Sequence, residues 1–522
     1  MTDSAGPSPE LTPVRVRSEG NLTRKASLNA VAAFVDYGAR TLVGFLLNPF
    51  MVTHLGDSGY GTWQFLQRLI GHATPAAGRP GEALKWVVAH DQSSTDYDTK
   101  RRQVGTAVTV WFMFLPLLSL VGGLLAWFAP ILLHAPPHQF GVVRLAAAVL
   151  VVNVVLTAIA TLPQSVLQGE NLGYKRLGQS TTVVLLGGLL SYGVLRLGLG
   201  LVGLAASLVA TTLLSAAIYL RIVRSQVPWF GIARPPFHAV LRFVRLSWWF
   251  LLWNLVMQAI KGSDVILLGI VGSSVLVASY SLTSYVPQMI SDTVFMVISA
   301  VMPGLGRLVG AGELSRAAAV RNETMTMTWL LCTTAGTTTL VWERSFLGLW
   351  VGERHYVGTI PMLLIVVMTL QLALIRTDSN VIDLTLDLRR KVLLGVLSTV
   401  VSVLLAWLLL GPLDLGIAGL VIGFLAGRSL LSVSYALMIG GLLGIPVQRQ
   451  LAGLTRPALA TALLFGSASL LGTKVTAGSW VALVLACAVS VVVAGALAFV
   501  GGLARWQRES LVGRARRAWR GA

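Results

Sequence analysis

Runs of about 20 apolar residues, the length a helix needs to cross a bilayer, recur along nearly the whole chain and are separated by short polar gaps. The pattern predicts transmembrane helices over 27–54, 59–90, 104–133, 141–167, 178–197, 199–221 and 241–271. Seven more follow over 275–304, 324–348, 357–386, 392–411, 415–443, 457–473 and 479–503. The expected fold class is all-α integral membrane, with about 14 transmembrane helices. Even-numbered gaps collect the basic residues: Lys100-Arg101-Arg102, Lys175-Arg176, Arg221 through Arg245, Arg307 with Arg316 and Arg321, Arg389-Arg390-Lys391, and Arg449 with Arg456. Odd-numbered gaps hold only Arg144, Arg196, Arg344, Arg354 and Lys474. Basic loops stay on the cytoplasmic side. The alternation therefore predicts a multi-pass protein of the cell inner (cytoplasmic) membrane with both termini cytoplasmic, and a wrong helix count would have scrambled it.

The gaps also predict the organisation. Residues 1–26 carry Pro, Ser and basic residues without an apolar core and read as a cytoplasmic tail, not a cleaved signal. The longest gap, 222–240, contains Pro228, Pro235 and Pro236 and reads as a cytoplasmic linker. It separates an N-lobe of six spans (27–221) from a C-lobe of six (241–443), followed by two additional helices (457–503) and a basic cytoplasmic tail (504–522). The second span is broken by Gly71-His72-Ala73-Thr74-Pro75 and again by Gly78-Arg79-Pro80-Gly81. Freed backbone groups in a membrane need cover from protein or water, so such breaks either line a cavity or mark a packing kink.

Composition narrows the class. The chain is 55% hydrophobic and 12% charged with a net charge of +19, and its mean hydropathy is +0.75, values foreign to a soluble domain. The positive charge sits in short loops and tails, where it faces an anionic leaflet rather than nucleic acid. Cys332 and Cys487 lie in apolar runs without metal-ligand spacing and read as packing residues. No GxxxxGK[ST] phosphate loop occurs, so neither ATP nor any other cofactor is expected.

Seven cations fall in the interior of the apolar segments, away from their ends: Arg40, Arg68, Arg79, Lys85, Lys261, Arg376 and Arg428. A cation in hydrocarbon is expensive and usually faces a cavity, a partner or a substrate, which points to movement of something anionic. Helical spacing aligns further polar residues with them. Asn29, Asp36 and Arg40 share one face; so do Asn254, Gln258 and Lys261, flanked by Asp264. Ser281, Tyr285, Gln288 and Asp292 form another stripe, as do Arg376, Asn380, Asp383 and Asp387, and Arg428, Ser432 and Tyr435. Asp36–Arg40 and Lys261–Asp264 fit equally well as structural ion pairs, and Asp383 and Asp387 as partners of Arg389-Arg390-Lys391. Asp36, Asp264 and Asp292 are candidate proton or cation sites.

Span one and the turn after it read Asn48-Pro49-Phe50, His54-Leu55-Gly56 and Tyr60-Gly61-Thr62-Trp63; spans seven and eight repeat the theme as Asp264-Val265-Ile266-Leu267-Leu268-Gly269, Val271-Gly272 and Ala278-Ser279-Tyr280-Ser281-Leu282. Over roughly 27–305 the chain resembles the polysaccharide-biosynthesis (O-antigen-type) flippases of the multidrug, oligosaccharidyl-lipid and polysaccharide exporter superfamily. The resemblance implies two six-helix lobes related by a pseudo-twofold along the membrane normal, around a V-shaped cavity. It implies alternating access that carries a polyprenyl-(pyro)phosphate-linked oligosaccharide between leaflets. Membrane lipids and polysaccharide polymerase or assembly proteins are the further partners it implies, and nucleic acid is none. Cavity cations of its first, second and seventh spans carry over to Arg40, Arg68 and Lys261. The eighth span departs, offering Asp292 and no cation, and so does Gly78-Arg79-Pro80-Gly81-Glu82. Guanidinium groups suit a phosphate headgroup because they replace its hydration with bidentate, charge-assisted hydrogen bonds. Trp63, Trp248, Trp249 and Trp253 are candidates to stack on sugar rings. Two alternatives remain. A cation-coupled drug exporter of the same superfamily would favour an acidic or aromatic cavity. A membrane polysaccharide polymerase or glycosyltransferase would need external acids or histidines, for which only His134, His138, Glu343, Glu353 and His355 are available.

Overall fold

The computed structural model describes residues 19–92, 94–170, 172, 179–384 and 388–520. Sixteen α-helices fill them, with no strand among the described residues. In order they are α1 (Glu19–Gly71), α2 (Pro80–His90), α3 (Tyr97–Leu132), α4 (Phe140–Gly169), α5 (Gln179–Arg196), α6 (Gly200–Gln226), α7 (Phe237–Val271) and α8 (Ser274–Thr283). Then come α9 (Tyr285–Gly310), α10 (Leu314–Trp350), α11 (Thr359–Asp383), α12 (Leu388–Leu410), α13 (Gly416–Leu443), α14 (Val447–Gly472), α15 (Trp480–Leu497) and α16 (Arg505–Arg520). Among the described residues nine helices are long and apolar enough to cross a membrane, or ten if the bent pair Tyr285–Ser299 and Gly304–Gly310 is one span. The protein is a multi-pass membrane protein. Helices α1, α5 and α10 fall outside that set, because threonines, asparagines and charges dilute their apolar runs.

The loop expected between the first two spans is a kink. Two helical stretches of α1 meet there, as expected of two successive spans, and Gly56 between them leaves helical geometry, at φ 71° and ψ 170°, a conformation that glycine alone adopts without strain. The break inside the second span is present. A 3-10 turn spans Thr74–Ala77, Gly78 and Arg79 are both left-handed, and Pro80 opens α2 at the position where its missing N–H costs nothing. Other boundaries move outward from the apolar runs. The linker expected over 222–240 is irregular only over 227–236, because α6 and α7 extend past their apolar stretches.

Small residues let helices approach. A Cβ at Gly423 would lie 2.3 Å from Ala406 Cα, and one at Gly427 would lie 2.4 Å from Ser402 Cα. This spacing of four seats α13 directly on the α12 backbone. A second close approach joins distant parts of the chain: a Cβ at Gly61 would lie 1.7 Å from the Ser274 carbonyl oxygen, so α1 and α8 touch there backbone to backbone. At that contact Ser58 Oγ meets Ser274 Oγ at 2.8 Å; on the other side of the Gly56 kink Trp350 Nε1 donates to Phe45 O at 2.7 Å. Tyr285 OH donates to Thr41 O at 3.0 Å. The largest apolar cluster, including Tyr60, Phe65, Leu268, Val277 and Tyr280, fills the same region.

Three ion pairs, each with a buried cation, tie helices together. Lys100 meets Glu170 at 3.2 Å, and Trp229 Nε1 donates to the same carboxylate at 2.9 Å. Arg321 grips Asp378 with bonds of 2.6 to 2.8 Å. Lys391, fully buried, pairs with Asp383 and donates to Ser379 O at 3.0 Å. Arg321 and Lys391 are thus interior residues rather than loop cations. Arg321 shares a face with buried Ala317, Thr324 and Thr328, two turns inside a helix that begins earlier than its apolar run.

Candidate functional site

Asn254, Gln258 and Lys261 recur at steps of four and three, so one face of α7 presents all three. That face meets the broken end of the second span. Gln258 Nε2 donates to Gly71 O at 2.9 Å, and Arg79 Nη1 donates to Asn254 Oδ1. Arg79 makes this contact from a left-handed backbone (φ 44°), an unfavourable conformation for a non-glycine residue. Gly262 leaves room for α1: a Cβ there would lie 2.9 Å from His72 Cε1 and 3.6 Å from Arg68 Cδ.

Lys261 completes a cluster drawn from four helices. Its electrostatic neighbours are Arg376 of α11, Asp292 of α9 and Arg68 of α1. Arg376 is 7% exposed, and its guanidinium lies 4.3 Å from the Phe295 ring centroid. Lys261 thus has two cations and one carboxylate among its electrostatic neighbours. Excess like charge in a low-dielectric setting is unfavourable unless water or an anion compensates it. His72 Nδ1 lies 2.7 Å from Arg68 O, while its buried Nε2 has no hydrogen-bond partner among the described residues. The arrangement suits an anionic group that also accepts hydrogen bonds.

The other predicted residues lie apart from this cluster or have other partners. Asp36 accepts from Ser180 Oγ at 2.6 Å and Thr181 Oγ1 at 3.0 Å; Arg40 is exposed and is in no ion pair among the described residues. Lys85 pairs with Glu82 one turn away at 2.8 Å, on a part of α2 that packs against α3 and α4. Asp264 does not pair with Lys261 among the described residues. Its carboxylate accepts from Tyr280 OH at 2.7 Å and from the Val265 amide at 2.8 Å. Arg428 lies near it, donates to Ile260 O and covers the Phe424 ring at 5.1 Å. Arg428 and Asp264 thus hold α7, α8 and α13 together. The stripe from Ser281 to Asp292 is interrupted because the helix breaks at Ser284, which leaves Asp292 with the cluster and Gln288 exposed. Trp63 is buried, and Lys391 covers one face of Trp253 at 3.9 Å. The side chains of Asn29, Trp248 and Trp249, and Asp387 as a whole, lie outside the described residues.

Sequence reasoning missed His72 and Phe295 as neighbours of the cluster. The signal for His72 was its spacing of four from Arg68; Phe295 carried none, because its role comes from the docking of α9 on α11. A cavity of about 980 Å³ opens elsewhere, between α10, α11, α13, α14 and α16. Arg321 and Asp378 are in its wall, already paired with each other.

Residues 27–309, more than half of the chain, match the family described as polysaccharide biosynthesis protein. No curated protein matches. The fold is similar to that of an inward-facing multidrug resistance MATE family transporter of the MOP superfamily, at TM-score 0.62 and 14% identity over 78% of this chain and 98% of that one. It is also similar to a mutant of the Vibrio cholerae MATE transporter VcmN (TM-score 0.59, 18% identity, 82% and 99% covered). The eukaryotic MATE transporter AtDTX14 is a further match (TM-score 0.59, 16% identity, 86% and 99% covered).

Proposed function

The chain belongs to the polysaccharide biosynthesis protein family, and from that premise we propose that it is a flippase. Its cargo is a polyprenyl-(pyro)phosphate-linked oligosaccharide, carried from the cytoplasmic to the outer leaflet of the inner membrane by alternating access. The observation that carries this reading is that Lys261 has Arg376 and Arg68, besides the Asp292 carboxylate, as its electrostatic neighbours. The cluster's surplus positive charge and hydrogen-bond donors match a phosphate headgroup leaving water. Arg79, bonded to Asn254 at the helix break, stands beside the α7 stripe as a further headgroup ligand.

The architecture proposed is fourteen membrane segments in two six-helix lobes plus two helices, with both termini cytoplasmic. Two ion pairs support the lobes. Lys100 near the start of α3 pairs with Glu170 just after α4; Arg321 near the start of α10 pairs with Asp378 near the end of α11. These are corresponding helices three and four of each proposed lobe. The contacts around Gly61 and Ser274 then close the extracytoplasmic side, leaving the cationic cluster to load from the cytoplasm.

A drug exporter is the second reading, favoured by the likeness to a multidrug transporter. Its cationic cargo would be repelled by this cluster. The test reconstitutes the full protein and follows a labelled polyprenyl-pyrophosphate oligosaccharide between leaflets. Lys261→Ala and Arg376→Ala are expected to lower the flipping rate at least about ten-fold while the proteins stay folded, the factor carried by losing one charge-assisted bond. No flipping by the unmodified protein, with proton-linked movement of small organic cations instead, would establish the exporter.

A further inference from the structure

We propose that Asn254 is a positioning residue for Arg79: it holds the guanidinium at the helix break through a neutral oxygen, so that an arriving phosphate takes Arg79 over and loosens the break from α7. The inference rests on the flippase reading only for the origin of that phosphate. On one side the break is packed firmly. A Cβ at Gly78 would lie 2.7 Å from Phe114 Cδ2 of α3, and Ala73 and Ala77 are buried with Leu118 of the same helix. On the other side stands α7, joined to the break by hydrogen bonds. Gln258 Nε2 donates to Gly71 O at 2.9 Å, and Arg79 Nη1 donates to Asn254 Oδ1. The first bond joins two neutral groups; the second engages a cation that a phosphate would also bind.

The nature of the partner is what makes the contact exchangeable. Glu82, one turn along from Arg79, is held by Lys85 at 2.8 Å. Asp264 accepts from Tyr280 and the Val265 amide, and Asp292 lies beside Lys261 and Arg376. Arg79 is in no ion pair among the described residues and meets an amide oxygen instead. Its backbone is left-handed, at φ 44° and ψ 50°, where glycine would be at ease and a side chain is strained. The position therefore keeps a guanidinium at a backbone cost, and spends it on a neutral acceptor. A hydrogen bond to an ionised oxygen is roughly twice as strong as one to a neutral oxygen, so a phosphate wins the exchange, whereas a carboxylate would hold Arg79 against it. Asn254 shares a face of α7 with Lys261, two turns away, so the exchange takes place beside the cationic cluster. Release of Arg79 removes a hydrogen bond between the break and α7 and lets them part.

The experiment reads the distance between the break and α7. Gly71→Cys and Gln258→Cys are placed in the full protein with Cys332→Ala and Cys487→Ala, because a Cβ at Gly71 would lie 3.5 Å from Gln258 Nε2. If that pair does not fold, His72→Cys with Gly262→Cys serves, a Cβ at Gly262 lying 2.9 Å from His72 Cε1. The rate of joining by a short bifunctional thiol reagent is measured with and without inorganic pyrophosphate, whose binding is followed separately with a radiolabel. Bound pyrophosphate is expected to slow joining about ten-fold, the factor carried by one hydrogen bond to a charged group. Asn254→Leu is expected to join slowly without pyrophosphate and to show no further response, and Asn254→Gln, which keeps an amide oxygen, to regain part of it. A merely structural role for Asn254 would change the starting rate but not the response. Bound pyrophosphate that leaves the rate unchanged, or slows it equally in Asn254→Leu, overturns the inference, and so does a protein that binds no pyrophosphate. The expected response in a protein that moves no lipid-linked saccharide leaves the inference standing and removes the flippase reading; an active flippase with an unresponsive rate does the reverse.

Discussion

Gly61→Ala separates the reading of the α1–α8 contact from a merely tight helix crossing. The added Cβ would stand 1.7 Å from Ser274 O and 2.6 Å from Ser274 C. Real Cβ atoms essentially never come within 3.0 Å of a heavy atom, so the two backbones must part by more than an ångström. Neither obstacle is a flexible side-chain tip that could swing aside. Forcing a methyl into a packed contact costs about 1–3 kcal/mol. That energy is charged only to the conformation in which α1 and α8 touch, so the balance shifts toward the open face by about 5- to 150-fold. Thr62, 4% exposed and next in sequence, reports the change. In a background lacking Cys332 and Cys487, Thr62→Cys is expected to react with a membrane-impermeant maleimide at least about five times faster when Gly61 is alanine. An unchanged labelling rate in a folded, membrane-inserted protein would refute the argument that this contact opens as a unit. A general loss of stability would instead raise labelling at buried positions far from the contact, such as Ser398, and that comparison distinguishes the two.

Three further predictions follow from other parts of the molecule. Arg321→Ala strands the buried Asp378 carboxylate and is expected to destabilise by about 3–5 kcal/mol, whereas Arg321→Met with Asp378→Leu is expected to be near neutral; thermal unfolding in detergent checks this, and equal losses in both variants would contradict it. Lys85→Ala and Glu82→Ala remove a half-exposed pair one turn apart, so each is expected to change stability by less than about 1 kcal/mol and to leave flipping at the unmodified rate. Asp96 caps α3 through the Thr99 amide at 3.0 Å and the Thr99 hydroxyl at 2.5 Å, and these bonds hold its carboxyl below the usual range. Its contribution to the cap is therefore present at neutral pH and lost as pH falls through the depressed value. Faster amide exchange at the start of α3 in acid, removed by Asp96→Ala, is the expected signature.

Of the fourteen segments expected, the nine or ten helices long and apolar enough to cross a membrane among the described residues were legible in the sequence, because hydrocarbon imposes a length and a polarity on each of them. The break at Gly78-Arg79-Pro80 was legible as well, since left-handed backbone and a proline at the helix start are properties of the residues themselves. So was the stripe of Asn254, Gln258 and Lys261, which needs only the helical repeat. What spacing along one helix could not supply was the partner on another. Asp36 and Arg40 share a face, yet Asp36 turns to Ser180 and Thr181 of α5. Lys261 and Asp264 are neighbours in sequence, yet the lysine faces Arg376, Asp292 and Arg68 while the aspartate takes Tyr280. Arg321 and Lys391 read as loop cations because hydropathy marks where an apolar run ends, whereas a helix ends only where its backbone hydrogen bonds and caps do. Burial of those two charges depends on the acids that α11 presents to them, and so on how the helices dock. The same holds for His355 and Asp57, which lie in separate polar gaps until the packing of α1, α8 and α10 brings an imidazole and a carboxylate within 3.0 Å. The sequence thus determined which helices are long and apolar enough to enter a bilayer and which residues are costly there; docking decided which of those charges neutralise one another, because electrostatic energy in a low-dielectric interior is set by distance in space.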